Sequence, residues 1–246
     1  MNDFTIICIY NDESILNNNL KASIENIKED IPSYFIDNSG KYFTSMSQAY
    51  NSIISRVNTK WVIMVHQDIY FPLSTWNRLR IFIDEMNNKK CGMIGVAGCK
   101  SEIQGVFSNI KYGPNLINAG EFIVDKYVSA QTIDECFMLA RTDILKKYPF
   151  DEKVCNGWHL YGVDRCLEFK LLGFENYVLG LDMEHHSKRV SMNASYFVIL
   201  RKILNKYKEN YKVINTTCGT WRVNDMGRVN WLLFKERIKE VFQRRA

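Results

Sequence analysis

Short apolar runs alternate with helical patterns over the first hundred residues, and this alternation constrains the fold more than any other feature. An apolar run at Phe4–Tyr10 precedes a helical pattern that extends to residue 27, and a second run at 34–36 precedes another at 45–57. The continuous apolar run Trp61–Val65 is typical of a strand buried on both faces. Alternating elements of this length predict an α/β fold, with a mostly parallel twisted sheet and helices on both faces.

Polar residues follow two of these strands. Asp37 comes after the second apolar run, and the triplet His66, Gln67 and Asp68 comes directly after the third. Ligands of open parallel sheets bind beyond the carboxyl ends of the strands. The sequence therefore predicts a binding site at this edge of the sheet.

The composition is that of a globular protein. The chain has 246 residues, of which 46% are hydrophobic and 24% charged, so it is able to bury a full core. We interpret residues 1–190 as one α/β domain and residues 191–246 as a helical extension packed on or beside it. The net charge is only +5, and basic and acidic residues are mixed along most of the chain. This mixture argues against a nucleic-acid partner.

The cysteines and the N-terminal segment bear on the compartment. The seven cysteines are an odd set without a CxxC pair, and Cys8, Cys136 and Cys166 fall in apolar or helical stretches. The N-terminus lacks a basic region ahead of an apolar one, and no run of about 18 apolar residues occurs. We therefore expect a cytoplasmic protein that is neither secreted nor membrane-spanning.

A metal site is the first chemical hypothesis. The carboxylate of Asp68, on a loop after a buried strand, suits a hard divalent cation that also bridges two phosphates. Imidazole accepts Mn²⁺ and other first-row metals, so either His185 or His186 is a candidate second ligand. The alternative is that Asp68 caps a turn and the histidines belong to a polar surface loop.

A general base is the second hypothesis. Asp164 lies in the predicted first turn of a helix, close in sequence to Trp158, His159 and Tyr161. A carboxylate beside aromatic faces suits a sugar-binding pocket, where the carboxylate is able to accept a proton from a sugar hydroxyl. Helix capping would also explain Asp164, and the aromatic residues would also suit a core.

Taken together, these segments resemble the GT-A glycosyltransferases related to family 2, and especially a bacterial branch that carries HQD in place of DxD. The resemblance covers residues 4–187 and implies a Rossmann-like nucleotide-binding half followed by an acceptor half. The segments IICIYND, IDNSG, SMSQAYNSII and HQD stand where the family binds the nucleotide sugar. Whether His66 touches the metal or the phosphates stays open. The implied donor-binding residues are Tyr10, Asp37, Gln48, Asn51, His66, Gln67 and Asp68.

The acceptor side of the family has its own matching segments. IDECFMLARTD resembles the acceptor-side strand, and GWHLYGVDRC resembles the segment with the catalytic acid, which makes Asp164 the implied base. EHHS resembles the family's HxS, so His185 is the preferred metal ligand and His186 the second choice. The implied metal is Mn²⁺ or Mg²⁺, held by Asp68 and one histidine. The implied acceptor-binding residues are Asp134, Glu135, Trp158, His159 and Tyr161.

The resemblance also implies a reaction. We expect transfer of a hexosyl or N-acetylhexosaminyl group, with inversion, from a nucleotide sugar to a hydroxyl of a cell-surface glycan or glycolipid, as in polysaccharide or lipopolysaccharide assembly. UDP is the nucleotide we expect. The alternative is a non-catalytic protein that keeps the fold and binds a nucleotide or carbohydrate.

Three other classes of nucleotide-binding enzyme fit the sequence poorly. The first turn, YNDES, is acidic and lacks the glycines of nucleotidyltransferases. The GxGxxG motif of dinucleotide-binding oxidoreductases and the GxxxxGK[ST] motif of P-loop enzymes do not occur.

Two basic amphipathic segments characterise the C-terminal region. RKILNKYKENYK and WLLFKERIKEVFQRRA both combine apolar stripes with basic faces. Such helices usually pack on a core with one face in solvent. A basic amphipathic helix is also suited to an anionic membrane, which would place the protein at the inner face of the membrane beside a lipid-linked acceptor. The sequence predicts no oligomeric state.

Overall fold

A computed structural model of the chain describes residues 3–113, 115–186 and 192–243. In chain order the strands are β1 (Phe4–Tyr10), β2 (Ser33–Asp37), β3 (Trp61–Val65), β4 (Ile69–Tyr70), β5 (Cys91–Gly95), β6 (Ala97–Cys99), β7 (Phe107–Ser108), β8 (Ile110–Tyr112), β9 (Ile117–Asn118), β10 (Tyr127–Ala130), β11 (Thr132–Ile133), β12 (Phe137–Arg141), β13 (Glu175–Leu179), β14 (Met183–His185), β15 (Val213–Thr216) and β16 (Gly219–Arg222). The helices are α1 (Glu13–Leu16), α2 (Ala22–Ile27), α3 (Met46–Ile54), α4 (Leu73–Met86), α5 (Thr142–Lys147), α6 (Tyr161–Leu171), α7 (Ala194–Tyr207) and α8 (Met226–Gln243), and a π-helical stretch, Asn17–Lys21, joins α1 to α2.

The central sheet has seven strands in the order β10-β13-β5-β12-β3-β1-β2. Strands β1, β2 and β3 are mutually parallel, as predicted. Strand β12 is antiparallel to both β3 and β5, and β13 is parallel to β5. Five strands therefore share one direction, while β12 and the edge strand β10 run against them. The prediction of a mostly parallel sheet is confirmed, although β12 lies between two strands that run the opposite way.

Each face of the sheet carries an apolar core. Successive side chains of a strand point to opposite faces, so Ile7 and Met64 join the core that also holds α3, α6 and α7. Ile6 and Ile63 join the second core, which packs against α2 and α4. Helices therefore cover both faces, as the unbroken apolar strands predict.

Helix ends follow local sequence signals. Asp12 caps α1, since its carboxylate accepts a hydrogen bond from the Ile15 amide at 3.0 Å, and Ser45 caps α3 through the Gln48 amide. Gly173 follows α6 with φ +76°, a left-handed conformation that suits glycine. The Asp12 and Ser45 caps follow β1 and β2 and lie at the carboxyl edge of the sheet, whereas Gly173 precedes β13 at the opposite edge.

Three small sheets extend this edge. Strand β14 pairs with β4 and β8, and β11 pairs with β6. The β15–β16 hairpin lies beside β11, where the Gln131 amide group bonds to the backbone of both Val213 and Asn215. Residues distant in sequence are thereby brought together above the central sheet.

The C-terminal region is more closely integrated than a simple helical extension. Helices α7 and α8 lie at the two predicted segments, but the β15–β16 hairpin between them was not predicted. Apolar residues of α7, such as Leu200 and Ile203, belong to the same core as β1 and β3. The domain boundary at residue 190 stays a prediction. Among the helices described, none is both long and apolar enough to cross a bilayer.

Candidate active site

Three potential metal ligands converge at the carboxyl end of β3. His66 and Asp68 follow β3 directly, and His185 reaches them because β14 pairs with β4, with His185 opposite Ile69. The Asp68 Oδ1 atom lies 3.3 Å from His185 Nε2, and one ligand atom from each of the three residues lies within 4.8 Å of the others. Two imidazoles and a carboxylate are a donor set that accepts Mn²⁺ and other first-row divalent metals. These three residues are called the metal group below.

The electrostatics of the metal group suit a cation. Burial lowers the pKa of His66, which favours its neutral imidazole. Burial alone would raise the pKa of Asp68, but the hydrogen bond and charge of His185 outweigh it and lower that pKa. A neutral imidazole and an ionised carboxylate are the protonation states that metal binding needs.

His186 does not belong to the metal group, which leaves His185, the preferred histidine of the prediction, as the one beside Asp68. Its Nε2 atom lies 3.0 Å from a Glu184 carboxylate oxygen, and only its backbone amide reaches Asp68, by donating to the carbonyl oxygen. Neighbouring side chains in extended chain point apart, so His185 and His186 diverge. A ring nitrogen of His66 is one of the three converging ligand atoms, so His66 is placed to bind a metal, and its contact with phosphates stays a prediction.

A cavity of about 780 Å³, called the β1 cavity here, opens between the ends of β1 and β2 and the metal group. Gln67 shapes its floor, because the Gln67 side-chain oxygen accepts hydrogen bonds from the Asn11 and Asp12 amides at 2.9 and 3.1 Å. The volume suits a ligand of nucleotide size. The residues lining it include Tyr10, Asn11, Asn38, Ser39, Lys41, Thr44, His66, Gln67, Asp68 and Trp158.

Most of the predicted donor residues lie in the β1 cavity or at its margin. Tyr10, His66, Gln67 and Asp68 line the β1 cavity. Asp37 does not line it but lies at its margin, since its carboxylate accepts a hydrogen bond from the amide of the lining residue Ser39.

Two other predicted donor residues do not line the β1 cavity. The Gln48 side-chain oxygen accepts a hydrogen bond from the amide of the lining residue Thr44, so Gln48 lies at the margin as Asp37 does. Asn51 instead bonds both backbone groups of Phe150, which corrects the prediction for Asn51. Sequence analysis missed Asn38 and Lys41, which do line the β1 cavity. The segment DNSGK after β2 was the available signal for both.

A second cavity of about 350 Å³, called the β11 cavity, lies on the other side of the metal group. His66, Asp68 and Trp158 line both cavities, so the metal group lies where they meet. Four of the five predicted acceptor residues line the β11 cavity, namely Asp134, Glu135, Trp158 and His159. The β15–β16 hairpin adds Thr216, Thr217 and Cys218, which sequence analysis did not connect with the site.

The two adjacent carboxylates of the β11 cavity have opposite character. Asp134 accepts hydrogen bonds from the Thr217 hydroxyl at 2.6 Å and the Cys136 amide at 3.0 Å, and these bonds lower its pKa although burial opposes them. Burial raises the pKa of Glu135 to about 8, although the Gly162 amide at the start of α6 donates to it at 2.9 Å. Asp134 is therefore a weak base and Glu135 a strong one.

Asp164 is not placed to act on an acceptor, contrary to the prediction. It does lie in the first turn of α6, but its side chain is 1% exposed and lines neither cavity. Lys206 Nζ lies 2.8 Å from its Oδ1, and the Tyr207 hydroxyl donates to the same oxygen at 3.0 Å. Asp164 is thus the buried half of an ion pair that joins α6 to α7.

The aromatic residues before α6 also separate. Trp158 is 38% exposed and faces both cavities, whereas Tyr161 is buried in the core and lines neither of them. The Tyr161 hydroxyl lies 3.2 Å from His66 Nε2, so Tyr161 supports the metal group and is wrongly predicted as an acceptor contact. Leu160 between them has φ +62°, a strained conformation for leucine that recurs at functional sites.

Replacement of Asp68 should weaken metal binding. Asp68→Asn removes the only carboxylate of the metal group, so we expect Mn²⁺ affinity to fall at least about tenfold. His186→Asn is the matched control and should bind Mn²⁺ as the unmodified protein does. Electron paramagnetic resonance of free Mn²⁺ measures both, and equal losses in the two variants would contradict the assignment.

Solved structures share the fold at low sequence identity. TarS of S. aureus in complex with UDP-GlcNAc gives a TM-score of 0.56 at 14% identity, covering 83% of this chain and 66% of that one. GalNAc-T7 with UDP, GalNAc and Mn²⁺ gives 0.56 at 6% identity, with coverages of 83% and 48%. The mannosyltransferase PcManGT from Pyrobaculum calidifontis in complex with GDP-Man and Mn²⁺ gives 0.54 at 11% identity, with coverages of 85% and 65%. The chain spans about half to two thirds of the length of these proteins, and the likeness confirms the predicted GT-A fold.

Sequence comparison completes the assignment. A curated protein of Fuscovulum blasticum, "ATP synthase subunits region ORF 6", is 22% identical over 190 residues, which cover 71% of this chain and 70% of that protein. A family model described as a glycosyltransferase-like family matches residues 5–214, which is most of the chain. The predicted relationship is thus confirmed, and the chain belongs to this glycosyltransferase-like family.

Proposed function

We propose that the protein transfers a sugar from a nucleotide sugar to an acceptor hydroxyl, with the donor in the β1 cavity and the acceptor in the β11 cavity. One observation carries this proposal: the metal group lies where the two cavities meet, and Glu135 lines the acceptor side. If the diphosphate of the donor lay against the metal group, the anomeric carbon of the sugar would lie between the departing phosphate and the incoming hydroxyl. The family membership supports the same reaction.

The donor side of the proposal rests on the lining of the β1 cavity. Tyr10 and Asn38 lie at the ends of β1 and β2 and suit a nucleoside, while Lys41 and the metal group suit a diphosphate. When bound at His66, Asp68 and His185, Mn²⁺ or Mg²⁺ would neutralise charge on the diphosphate as it departs. UDP and a hexose or N-acetylhexosamine are the proposed donor components, and TarS, a solved structure of the same fold, contains UDP-GlcNAc.

On the acceptor side, we assign the role of general base to Glu135. As the acceptor oxygen bonds to the anomeric carbon, its proton passes to the Glu135 carboxylate and the bond to the diphosphate breaks, which inverts the anomeric centre. Asp134 and Thr217, held together by their hydrogen bond, are suited to orient the acceptor. The proposed acceptor is a glycan or glycolipid hydroxyl.

A donor panel tests the proposal. The protein is incubated with UDP-, GDP-, CDP- and dTDP-sugars and Mn²⁺, and release of nucleoside diphosphate is measured. We expect slow transfer to water from one nucleotide class, and none in Asp68→Asn. Binding of a nucleotide sugar without any release would instead favour a non-catalytic binding protein.

Trp158 offers a separate test of the two-cavity arrangement. Because its ring faces both cavities, Trp158→Ala should raise the KM for the donor by about tenfold through lost stacking and burial. Trp231→Ala is the matched control, since Trp231 is exposed on α8 and lines neither cavity. Steady-state kinetics of donor hydrolysis distinguish the two, and similar KM values for both variants would contradict the arrangement.

A further inference from the structure

Helix α8 presents an exposed apolar stripe. Its members lie at spacings of three, seven, ten and eleven residues from the first, which places them on one face of a helix that advances about 100° per residue. Val229 and Leu233 are buried on the opposite face, against the rest of the protein. The stripe consists of Trp231, Phe234, Ile238, Val241 and Phe242, which are 60%, 62%, 40%, 50% and 67% exposed.

Charge is segregated around this stripe. Lys235 lies beside it, with its Nζ atom 5.4 Å from the centre of the Trp231 ring. The acids Glu236 and Glu240 are half-buried on the side of the helix towards the protein, where Glu240 accepts a hydrogen bond from the Ala194 amide. The outward half of α8 therefore carries an apolar stripe and positive charge. Its exposed cations are Arg228, Lys235, Arg237 and Lys239, of which Lys239 is paired with Glu236.

We propose that α8 lies on an anionic membrane surface with its stripe in the boundary between headgroups and acyl chains. Trp and Phe are the side chains that interfacial helices insert, and flanking Lys and Arg side chains reach anionic headgroups while their stems cover apolar surface. A second copy of this chain fits less well, since two such faces would bring basic side chains together without the acids to pair them. The described part of α8 lines neither cavity, so the proposal stands independently of the donor and the reaction.

Vesicle flotation tests the proposal with the full chain. The probes are phosphatidylcholine vesicles with and without about 30% phosphatidylglycerol. We expect binding to the anionic vesicles, weaker binding to neutral ones and a decrease with added salt. Arg228→Gln/Lys235→Gln/Arg237→Gln should lower binding about fivefold for each cation removed, and Trp231→Ser/Phe234→Ser should lower it by more than about tenfold.

Control variants carry comparable changes on other exposed helices. Ile81→Ser/Leu171→Ser alters side chains that are 60% and 50% exposed on α4 and α6, and Lys146→Gln/Lys147→Gln removes cations from α5. Both should float as the unmodified protein does. Absent binding, equal binding to both vesicle types, or equal losses in the controls would overturn the proposal. So would a dimer in sedimentation velocity that the stripe variant converts to a monomer without any vesicle binding.

Discussion

Glu135→Gln is expected to lower kcat by about 10²- to 10⁴-fold, the usual contribution of a general base. The amide keeps the shape of the side chain but has no site for the acceptor proton. Donor and metal binding should persist, because neither involves Glu135. Rapid-quench or steady-state transfer assays measure the loss, and Glu209→Gln, an exposed change at the end of α7, is the control. Full activity in Glu135→Gln together with loss in Asp164→Asn would restore Asp164 as the base.

The pKa of Glu135 predicts two pH dependences. Because burial raises the pKa to about 8 and the base must be ionised, kcat/KM should rise with pH through about 8. The same shift favours the protonated carboxyl in the folded state. Its stabilisation is therefore complete below the ordinary value of 4.5 and is lost as the pH rises through about 8. Thermal unfolding at pH 9 should show Glu135→Gln with a higher Tm than the unmodified protein.

Lys206→Met is expected to lower the free energy of unfolding by about 3 kcal/mol, because it removes the nearest cation from the buried Asp164 carboxylate and leaves only Arg165, 3.9 Å away, beside it. Asp164 is 1% exposed, and Lys206 Nζ contacts both of its oxygens. Methionine replaces the length of the side chain but not its charge. Denaturant titration gives the loss, with Lys202→Met one turn away on α7 as the control.

A double variant separates charge from packing in this pair. Asp164→Asn/Lys206→Met removes both charges, so it should be more stable than Lys206→Met alone, and the Tyr207 hydroxyl should still bond the asparagine. Asp164→Asn should also keep most of its transfer activity. If Lys206→Met cost less than about 1 kcal/mol, the ion pair would not be the role of Asp164.

Apolar pattern predicted the parallel half of the sheet well, because strands buried on both faces need continuous apolar residues. Strands β1 and β3 have the bounds that the sequence indicates. The direction of β12 was not predictable in this way, since the same apolar run FMLA suits either direction and the pairing partners decide it. The β15–β16 hairpin did have a local signal, namely β-branched residues around Gly219 in INTTCGTW.

Residues at strand ends were predicted more successfully than residues on helices. Asp68 had to lie at the edge of the sheet once β3 was recognised, and His185 joins it through the pairing of β14 with β4. The neighbours of Asp164 depend instead on which face of α6 it occupies and on Lys206, 42 residues later. No local pattern gives that contact. Glu135 was predicted at the acceptor, and the proposal that it is the base could not come from the sequence, because its raised pKa comes from burial in the tertiary structure.

Calorimetric titration with UDP, GDP, CDP and dTDP, each with and without Mn²⁺, tests the central claim most directly. If the metal group holds the diphosphate of a donor in the β1 cavity, one nucleotide should bind, and Mn²⁺ should strengthen its binding in the unmodified protein but not in Asp68→Asn. If no nucleotide binds under any condition, or if Asp68→Asn shows the same dependence on Mn²⁺, the proposed donor site is wrong.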